Sequence, residues 1–229
     1  MHCTVIIPAA GRGERFGGDT PKQFLLLRGR PIIVHTVERF LAYPEVDRII
    51  IGVSEEHLEA SSALMSDEGW QRVELVIGGA TRQETVSRGV AAALRHSCEM
   101  VAVHDAVRPF ASRRLLREVL SKAAEVGAAL PALTITDSIH RVVDDLIAET
   151  PDRRAWRTAQ TPQCFKVHIL TSVLEKAMQQ GIEATDEAGA ASRLGQKVAV
   201  VRGENRNVKI TYPEDLAMAE AFFDLWSAE

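Results

Sequence analysis

Near the start of the chain lies a glycine-rich run crowded with cations, Pro8-Ala9-Ala10-Gly11-Arg12-Gly13-Glu14-Arg15-Phe16-Gly17-Gly18, followed by Pro21-Lys22-Gln23. It comes directly after the apolar run Thr4-Val5-Ile6-Ile7, so a buried strand empties into it. Glycines let backbone N–H groups approach an anion with no Cβ in the way. Arg12, Arg15 and Lys22 supply the countercharge. The chemistry on offer is the binding of a nucleoside triphosphate; the alternative is a plain glycine-rich turn with surface arginines. The spacing differs from commoner phosphate loops. Lys22 stands far from the last glycine with no Ser or Thr after it, and Phe16 breaks a Gly-x-Gly-x-x-Gly pattern. The second strand, Arg48 to Val53, ends on Ser54 rather than on the acidic residue a dinucleotide site wants.

Three later groups could serve the same ligand. Gly78-Gly79-Ala80-Thr81-Arg82-Gln83-Glu84-Thr85 pairs two glycines with the hydroxyls of Thr81 and Thr85, suited to a ribose or a base edge and also to capping a helix. His104-Asp105-Ala106-Val107-Arg108 follows the apolar run Val101-Ala102-Val103. A carboxylate at that strand end, facing a triphosphate loop, is placed to hold Mg²⁺; the alternative is an Asp105–Arg108 pair that braces local backbone. Lys209, in Asn207-Val208-Lys209-Ile210-Thr211, interrupts an apolar strand and either snorkels to the surface or points at an anion.

The elements that must position these groups alternate. Apolar, β-branched runs at Val5–Ile7, Ile49–Val53, Val73–Ile77, Met100–Val103, Leu130–Ile135 and Val198–Val201 read as strands. Helix-period segments lie between them. One follows Pro31, a good first-turn residue; one follows Ser112 as N-cap with Leu115, Leu116, Val119, Leu120 and Ala123 on one face; one follows Thr81, with Glu84 completing a capping box. This alternation predicts an α/β, Rossmann-like fold: an open, mainly parallel sheet with helices on both faces, whose ligands sit beyond the strands' carboxyl ends. Thr136 to Thr150 break the pattern. Two short extended pieces flank Asp144-Asp145, a hairpin turn, and a hairpin too polar for the core is expected to project. It either packs on another subunit or stands as an exposed excursion.

With 229 residues, one large domain is expected over residues 1–229. Apolar content of 46% and charge content of 25% are ordinary for a soluble protein. A net charge of −4 gives no overall field to recruit nucleic acid, so an anionic ligand must be held by local cations. Cys3, Cys98 and Cys164 form no Cys-x-x-Cys pair and the histidines show no zinc spacing, which points to a reducing compartment without structural zinc. Met1-His2-Cys3 runs straight into the first strand, and no apolar run is long enough to span a bilayer. A cytoplasmic location and no membrane partner are expected.

Taken together, Pro8-Ala9-Ala10-Gly11-x-Gly13-x-Arg15, Pro21-Lys22-Gln23, Gly78-Gly79 with Arg82, His104-Asp105-Ala106 with Arg108-Pro109, Asp152-Arg153, Thr161-Pro162-Gln163, Thr185-Asp186-Glu187-Ala188 and Asn207-Val208-Lys209 resemble the polyol-phosphate cytidylyltransferases, from Ile7 to about Ala219. The resemblance implies transfer of a cytidylyl group from CTP to 2-C-methyl-D-erythritol 4-phosphate in non-mevalonate isoprenoid biosynthesis. The nearest alternative acceptor is ribitol 5-phosphate, and a non-catalytic nucleotide-binding regulator is the remote one. It implies that Arg15 and Lys22 grip the triphosphate and stabilise the transition state, that Asp105 binds Mg²⁺, and that Lys209 contacts the reacting phosphates. Ala9, Ala10, Gly11, Gly13, Gly79, Thr85 and Asp105 would line the nucleotide pocket. Arg108 and Thr185 would hold the polyol phosphate. Ser138 and Arg153, in an arm at about 136–153, would reach the polyol phosphate of a partner subunit, making a homodimer with shared sites. The chain departs from the family pattern at Thr85 (commonly Ser), Ser138 (commonly Thr), His140 (commonly basic) and Trp156-Arg157, where a tryptophan common after Asp-Arg stands one position early.

Overall fold

The computed structural model describes residues 2–11 and 21–226. Strand β1 (Cys3–Pro8) is followed by the short strands β2 (Leu26–Leu27) and β3 (Arg30–Pro31) and by helix α1 (Ile32–Leu41). Then come β4 (Val46–Val53), α2 (Leu58–Asp67), β5 (Val73–Ile77), α3 (Arg82–Ala93), β6 (Met100–Val103), α4 (Arg113–Val126) and β7 (Ala128–Thr134). The hairpin β8 (Arg141–Val143) and β9 (Leu146–Glu149) leads to β10 (Arg157–Ala159), β11 (Gln163–Lys166), α5 (Val167–Gln179), α6 (Glu187–Arg193), β12 (Ala199–Arg202) and α7 (Pro213–Trp226).

The main sheet runs β5-β4-β1-β6-β11-β7-β10, with β12 beside β7. β1 pairs in parallel with β4 and β6, β4 with β5, and β12 with β7, whereas β11 and β10 run antiparallel. The fold is therefore the expected α/β sheet of mainly parallel strands. Alternate residues of a strand face opposite sides. Val5 and Ile7 of β1 accordingly join α1 and α4 side chains such as Val37, Phe40, Leu115 and Val119 in one core. Ile6, between them, joins Val86 and Val90 of α3 and Leu170 and Leu174 of α5 in the other. With both faces covered, β1 is buried from Cys3 to Ile7, which is why its sequence is a continuous apolar run.

The caps follow the sequence with two adjustments. Ser112 Oγ accepts from Leu115 N–H, and Thr81 Oγ1 accepts from Glu84 N–H. Glu84 returns its carboxylate to Ala80 N–H at 2.8 Å, one residue earlier than a standard capping box. Pro31 stands just before the first residue of α1 rather than within its first turn.

Three expectations are corrected. The sheet gains β10 and β11, which the apolar runs do not include, because one is short and exposed and the other begins one residue after Pro162. Lys209 lies on no strand: residues 207–211 form an extended loop fastened by the Ile210 N–H bond to Val107 O. The hairpin does stand off the core, but polarity is not its whole character. Asp144 and Asp145 turn it at φ 49 and 60, as a two-residue I′-type turn requires. Val142, Val143, Leu146 and Ile147 are nevertheless all exposed, Leu146 at 72%.

Candidate active site

The strands' carboxyl ends converge on one cleft. Ala9, Ala10, Gly11, Lys22, Gly79, Thr85, Asp105 and Lys209 line it together, as the sequence predicted. Gly13 and Arg15 lie outside the described residues. The loop after β1 is drawn into place from two sides. Ala9 N–H donates to Gly52 O, continuing the β1–β4 ladder by one bond. The buried Gln23 amide donates to Ala9 O at 2.7 Å and reaches Gly11 O at 3.2 Å. Gln23 thus ties residues 9–11, the described start of the glycine-rich run, to the turn that carries Lys22. The Pro-Lys-Gln motif contains this residue without revealing its role; an uncharged amide directly after Lys22 was the available signal.

Asp105 is the electrostatic centre. Its Oδ2 receives the Lys209 ammonium at 3.0 Å and Arg108 Nε at 3.1 Å, while Arg82 Nη2 stands 3.5 Å from Oδ1. Burial by itself would raise this carboxyl's pKa. The attraction of Lys209, Arg82 and Arg108 overrides burial and holds it far below the ordinary carboxylate range. Asp105 is therefore an anion at any working pH.

Arg82 belongs to the glycine-pair motif, but its role emerges only from the fold, and its partner was missed altogether. Its guanidinium pairs with Glu187, which is 2% exposed and stands at the start of α6. Burial raises the Glu187 carboxyl against the pull of Arg82, and Oε2 has no partner. Asp186, beside it, caps α6 by accepting from Gly189 N–H. Gln163 ties this helix start to β11 by donating to Asp186 Oδ2 and accepting from Ala188 N–H. The Thr185-Asp186-Glu187-Ala188 segment is therefore a helix cap that also holds a cleft arginine.

His104 is fully buried and does not line the cleft. Its Nε2 faces Arg108 O, which can only accept, so Nε2 carries the proton. Nδ1 then accepts from the Thr161 hydroxyl, whose oxygen in turn accepts Asp105 N–H. Burial pushes the His104 pKa down to about 4, and the neutral ring is fully bonded. Gln160 and Asn207 lash the 204–210 loop to the same region. Gln160 donates to Glu204 O and Asn207 O, and Asn207 donates to Thr161 O. That lashing carries Lys209 to Asp105.

Four predicted residues do not line the cleft. Arg108 is buried, with its guanidinium committed to Asp105 and to Asn207 O at 2.7 Å. Thr185 is exposed, one residue before the Asp186 cap. Ser138 is exposed at the base of the hairpin, and Arg153, also exposed, donates to Thr136 O there. Thr85 does line the cleft, but its hydroxyl is spent on Gly79 N–H and Thr81 O rather than left for a ribose or base.

A doubly covered α/β sheet that brings a glycine-rich loop, lysines and a locked carboxylate together at its strand ends defines a nucleotide-binding enzyme domain built for phosphate chemistry. The chain belongs to the 2-C-methyl-D-erythritol 4-phosphate cytidylyltransferase family, whose model matches residues 3–224. The protein of that name from Bacillus cytotoxicus is 40% identical over 222 residues, 96% of each chain. That from Carboxydothermus hydrogenoformans is 38% identical, covering 98% of this chain and 97% of its own. Among solved structures, the enzyme of the same name from Thermus thermophilus superposes with a TM-score of 0.78 at 32% identity, over 98% of this chain and 100% of that one. The 4-diphosphocytidyl-2C-methyl-D-erythritol synthase of Anaerococcus prevotii gives a TM-score of 0.85 at 27% identity, over 97% and 96%.

Proposed function

We propose that this chain transfers a cytidylyl group from CTP to 2-C-methyl-D-erythritol 4-phosphate, giving 4-diphosphocytidyl-2-C-methyl-D-erythritol and pyrophosphate. Family membership favours this acceptor over ribitol 5-phosphate, and the intact set of Lys22, Asp105 and Lys209 speaks against a non-catalytic regulator. The observation that carries the chemistry is the meeting of Lys22, Lys209 and Arg82 with Asp105 beside the glycine-rich loop.

An oxygen of the acceptor's phosphate attacks the α-phosphorus of CTP. A new P–O bond forms, the bond between the α-phosphorus and the bridging oxygen breaks, and pyrophosphate leaves with the electron pair. The second pKa of a phosphate monoester is about 6, so the attacking oxygen is already ionised at neutral pH. No general base is required, in keeping with a cleft whose one histidine neighbour among the described residues, His104, is buried and fully bonded. The barrier is the repulsion between a dianion and a polyanion. Lys22 and Arg15 would offset it on the triphosphate, and Lys209 at the reacting phosphates.

Asp105 fits a magnesium ion in a limited sense. Among the described residues no group of three or more His, Cys, Asp or Glu could cage a metal. Mg²⁺ is commonly held by one or two carboxylates plus substrate phosphates. Asp105 Oδ2 takes Lys209 and Arg108, and Oδ1, 3.5 Å from Arg82, is the oxygen an ion would have to share with that guanidinium. Bound there, the ion would neutralise charge on the phosphates.

The acceptor's phosphate would be reached by Ser138 and Arg153 of a partner's arm, while Arg108, committed to Asp105 and to Asn207 O, would brace Asp105 rather than touch the acceptor. The exposed Val142, Leu146 and Ile147 of the hairpin, with Trp156 beyond it, support a homodimer in which that arm is covered. A cytoplasmic setting agrees with three free cysteines, and among the described residues no helix is long and apolar enough to cross a membrane.

Pyrophosphate release tests the reading, with CTP, UTP or GTP offered against methylerythritol phosphate or ribitol 5-phosphate. CTP with methylerythritol phosphate should turn over best by kcat/KM. A preference for ribitol 5-phosphate would replace the acceptor, and no release with any pair would remove the activity.

A further inference from the structure

The carboxyl end of β4 pins both walls of the cleft. Gly52 O accepts Ala9 N–H at 2.7 Å, and Val53 O accepts Gly78 N–H at 2.7 Å. Thr85 stands between the two walls and is 2% exposed. Its hydroxyl accepts from Gly79 N–H at 3.1 Å and donates to Thr81 O at 3.0 Å, which fixes the side chain's rotamer. In that rotamer the Thr85 methyl occupies the space a side chain at Gly52 would need. A Cβ built on Gly52 would lie 2.3 Å from Thr85 Cγ2, while the next nearest atoms, Thr85 Cβ and O, are 3.8 Å away. One methyl group accounts for the whole conflict. A Cβ on Gly78 would likewise meet Ala10 Cβ at 2.5 Å and Thr85 Oγ1 at 2.9 Å.

Gly52 sits inside a buried strand, where glycine weakens pairing and packing, so its place needs a reason of space. We propose that Gly52 is a positioning residue for the nucleotide. Its missing side chain admits the Thr85 methyl, the methyl and hydroxyl together fix Thr85, and Thr85 fixes Gly79 and the wall it forms with Ala80. A methyl added at Gly52 must push Thr85 out of its rotamer, release Gly79 N–H and move that wall into or away from the nucleotide. Packing this dense transmits the shift rather than absorbing it.

The inference rests on the cleft being the CTP site, and calorimetric titration with CTP separates the two. Wild type, Gly52→Ala, Thr85→Ser and the double variant are titrated with CTP and assayed for KM toward both substrates. Gly52→Ala should weaken CTP binding by about 10-fold or more, the scale of overpacking by one methyl, while KM for the polyol phosphate moves far less. Most of that loss should vanish when Gly52→Ala is made in the T85S background, because only the atoms at 3.8 Å then remain near the new Cβ. If Gly52→Ala alone does not fold, the double variant against T85S gives the same reading: equal CTP affinity supports the proposal. Wild-type CTP affinity in Gly52→Ala, or an undiminished penalty in the T85S background, overturns it. A wild type that binds CTP without turnover defeats the proposed activity, yet the affinities still decide this point. A wild type that binds no CTP defeats both.

Discussion

The cleft and the hairpin differ in how their side chains are answered. In the cleft Asp105 meets Lys209, Arg108 and Arg82, and Arg82 meets Glu187. His104, Gln160 and Asn207 have their polar bonds drawn from segments far apart in sequence. In the hairpin, β8 and β9 pair only with each other, and Val142, Leu146 and Ile147 face solvent. A two-stranded hairpin with no layer beneath it is marginal by itself. The cleft is overdetermined within one chain, whereas the hairpin presents an apolar surface for which that chain offers no cover among its described residues. On the proposed function, the cleft would supply the charge for the reaction and the hairpin the reach that delivers the acceptor.

The comparison can be broken most forcefully at Asp105. Asp105→Asn leaves Arg108, Arg82 and Lys209 without their shared anion, and removing one partner of a buried ion pair costs about 3–5 kcal/mol. Urea unfolding should show a loss of that order along with lost activity. An unchanged midpoint would mean that the cation cage contributes nothing to the fold. Lys22→Ala comes next and should lower kcat by at least about 10²-fold, as loss of one preorganised charge does. A raised KM with kcat intact would make Lys22 a binding residue only.

Acid sharpens the contrast further. His104 has a folded pKa of about 4 against an ordinary 6.5. Between those values the unfolded chain takes up a proton that the native ring refuses. The stability that His104 contributes is therefore complete above pH 6.5 and drains away as pH falls toward 4. The full span is at most about 3 kcal/mol. His104→Asn should flatten the dependence of the unfolding midpoint over that range, and equal slopes in both proteins would show that the histidine is not the group responsible. The smallest effect on folding belongs to the hairpin. Leu146→Ser should leave the unfolding midpoint, read at protein concentrations low enough to keep the chain monomeric, within about 0.5 kcal/mol, since the side chain is exposed. Sedimentation should nonetheless show weaker self-association. A large loss of monomer stability would place that side chain in a core.

Much of this division was legible in the sequence. All six apolar runs lie on strands, and those of β1 and β4 are continuous because parallel strands covered on both faces have no reason to alternate. Ser112 and Thr81 announced their helices because capping is local chemistry. The cleft's Gly11 and Gly79 and Asp105 were legible because they stand just after strands, and Lys22 because it follows the glycine-rich run. What escaped was non-local or short. Arg82 and Glu187 are separated by 105 positions, and only the fold brings them together, with the start of α6 tied to β11 through Gln163. β11 has four residues, three of them buried, in a stretch that reads first as a polar motif. Thr85 was expected to offer its hydroxyl to the ligand and instead uses it to hold Gly79, a distinction that residue type alone does not carry. The hairpin was expected to stand clear of the core because it is polar, but it does so with apolar residues exposed.

The central claim is that one chain supplies charge and the other supplies reach, and subunit mixing tests it most directly. Lys22→Ala and Arg153→Ala are each prepared as the inactive parent, then mixed under conditions where exchange of subunits is verified. In a hybrid dimer one site combines an intact cleft from the Arg153→Ala chain with an intact arm from the Lys22→Ala chain. Pyrophosphate release should return toward one working site per hybrid if the Arg153 guanidinium contacts the acceptor's phosphate across the proposed interface. Verified exchange with no recovered activity would mean that Arg153 serves its own chain's cleft, and the separation of charge from reach would be wrong.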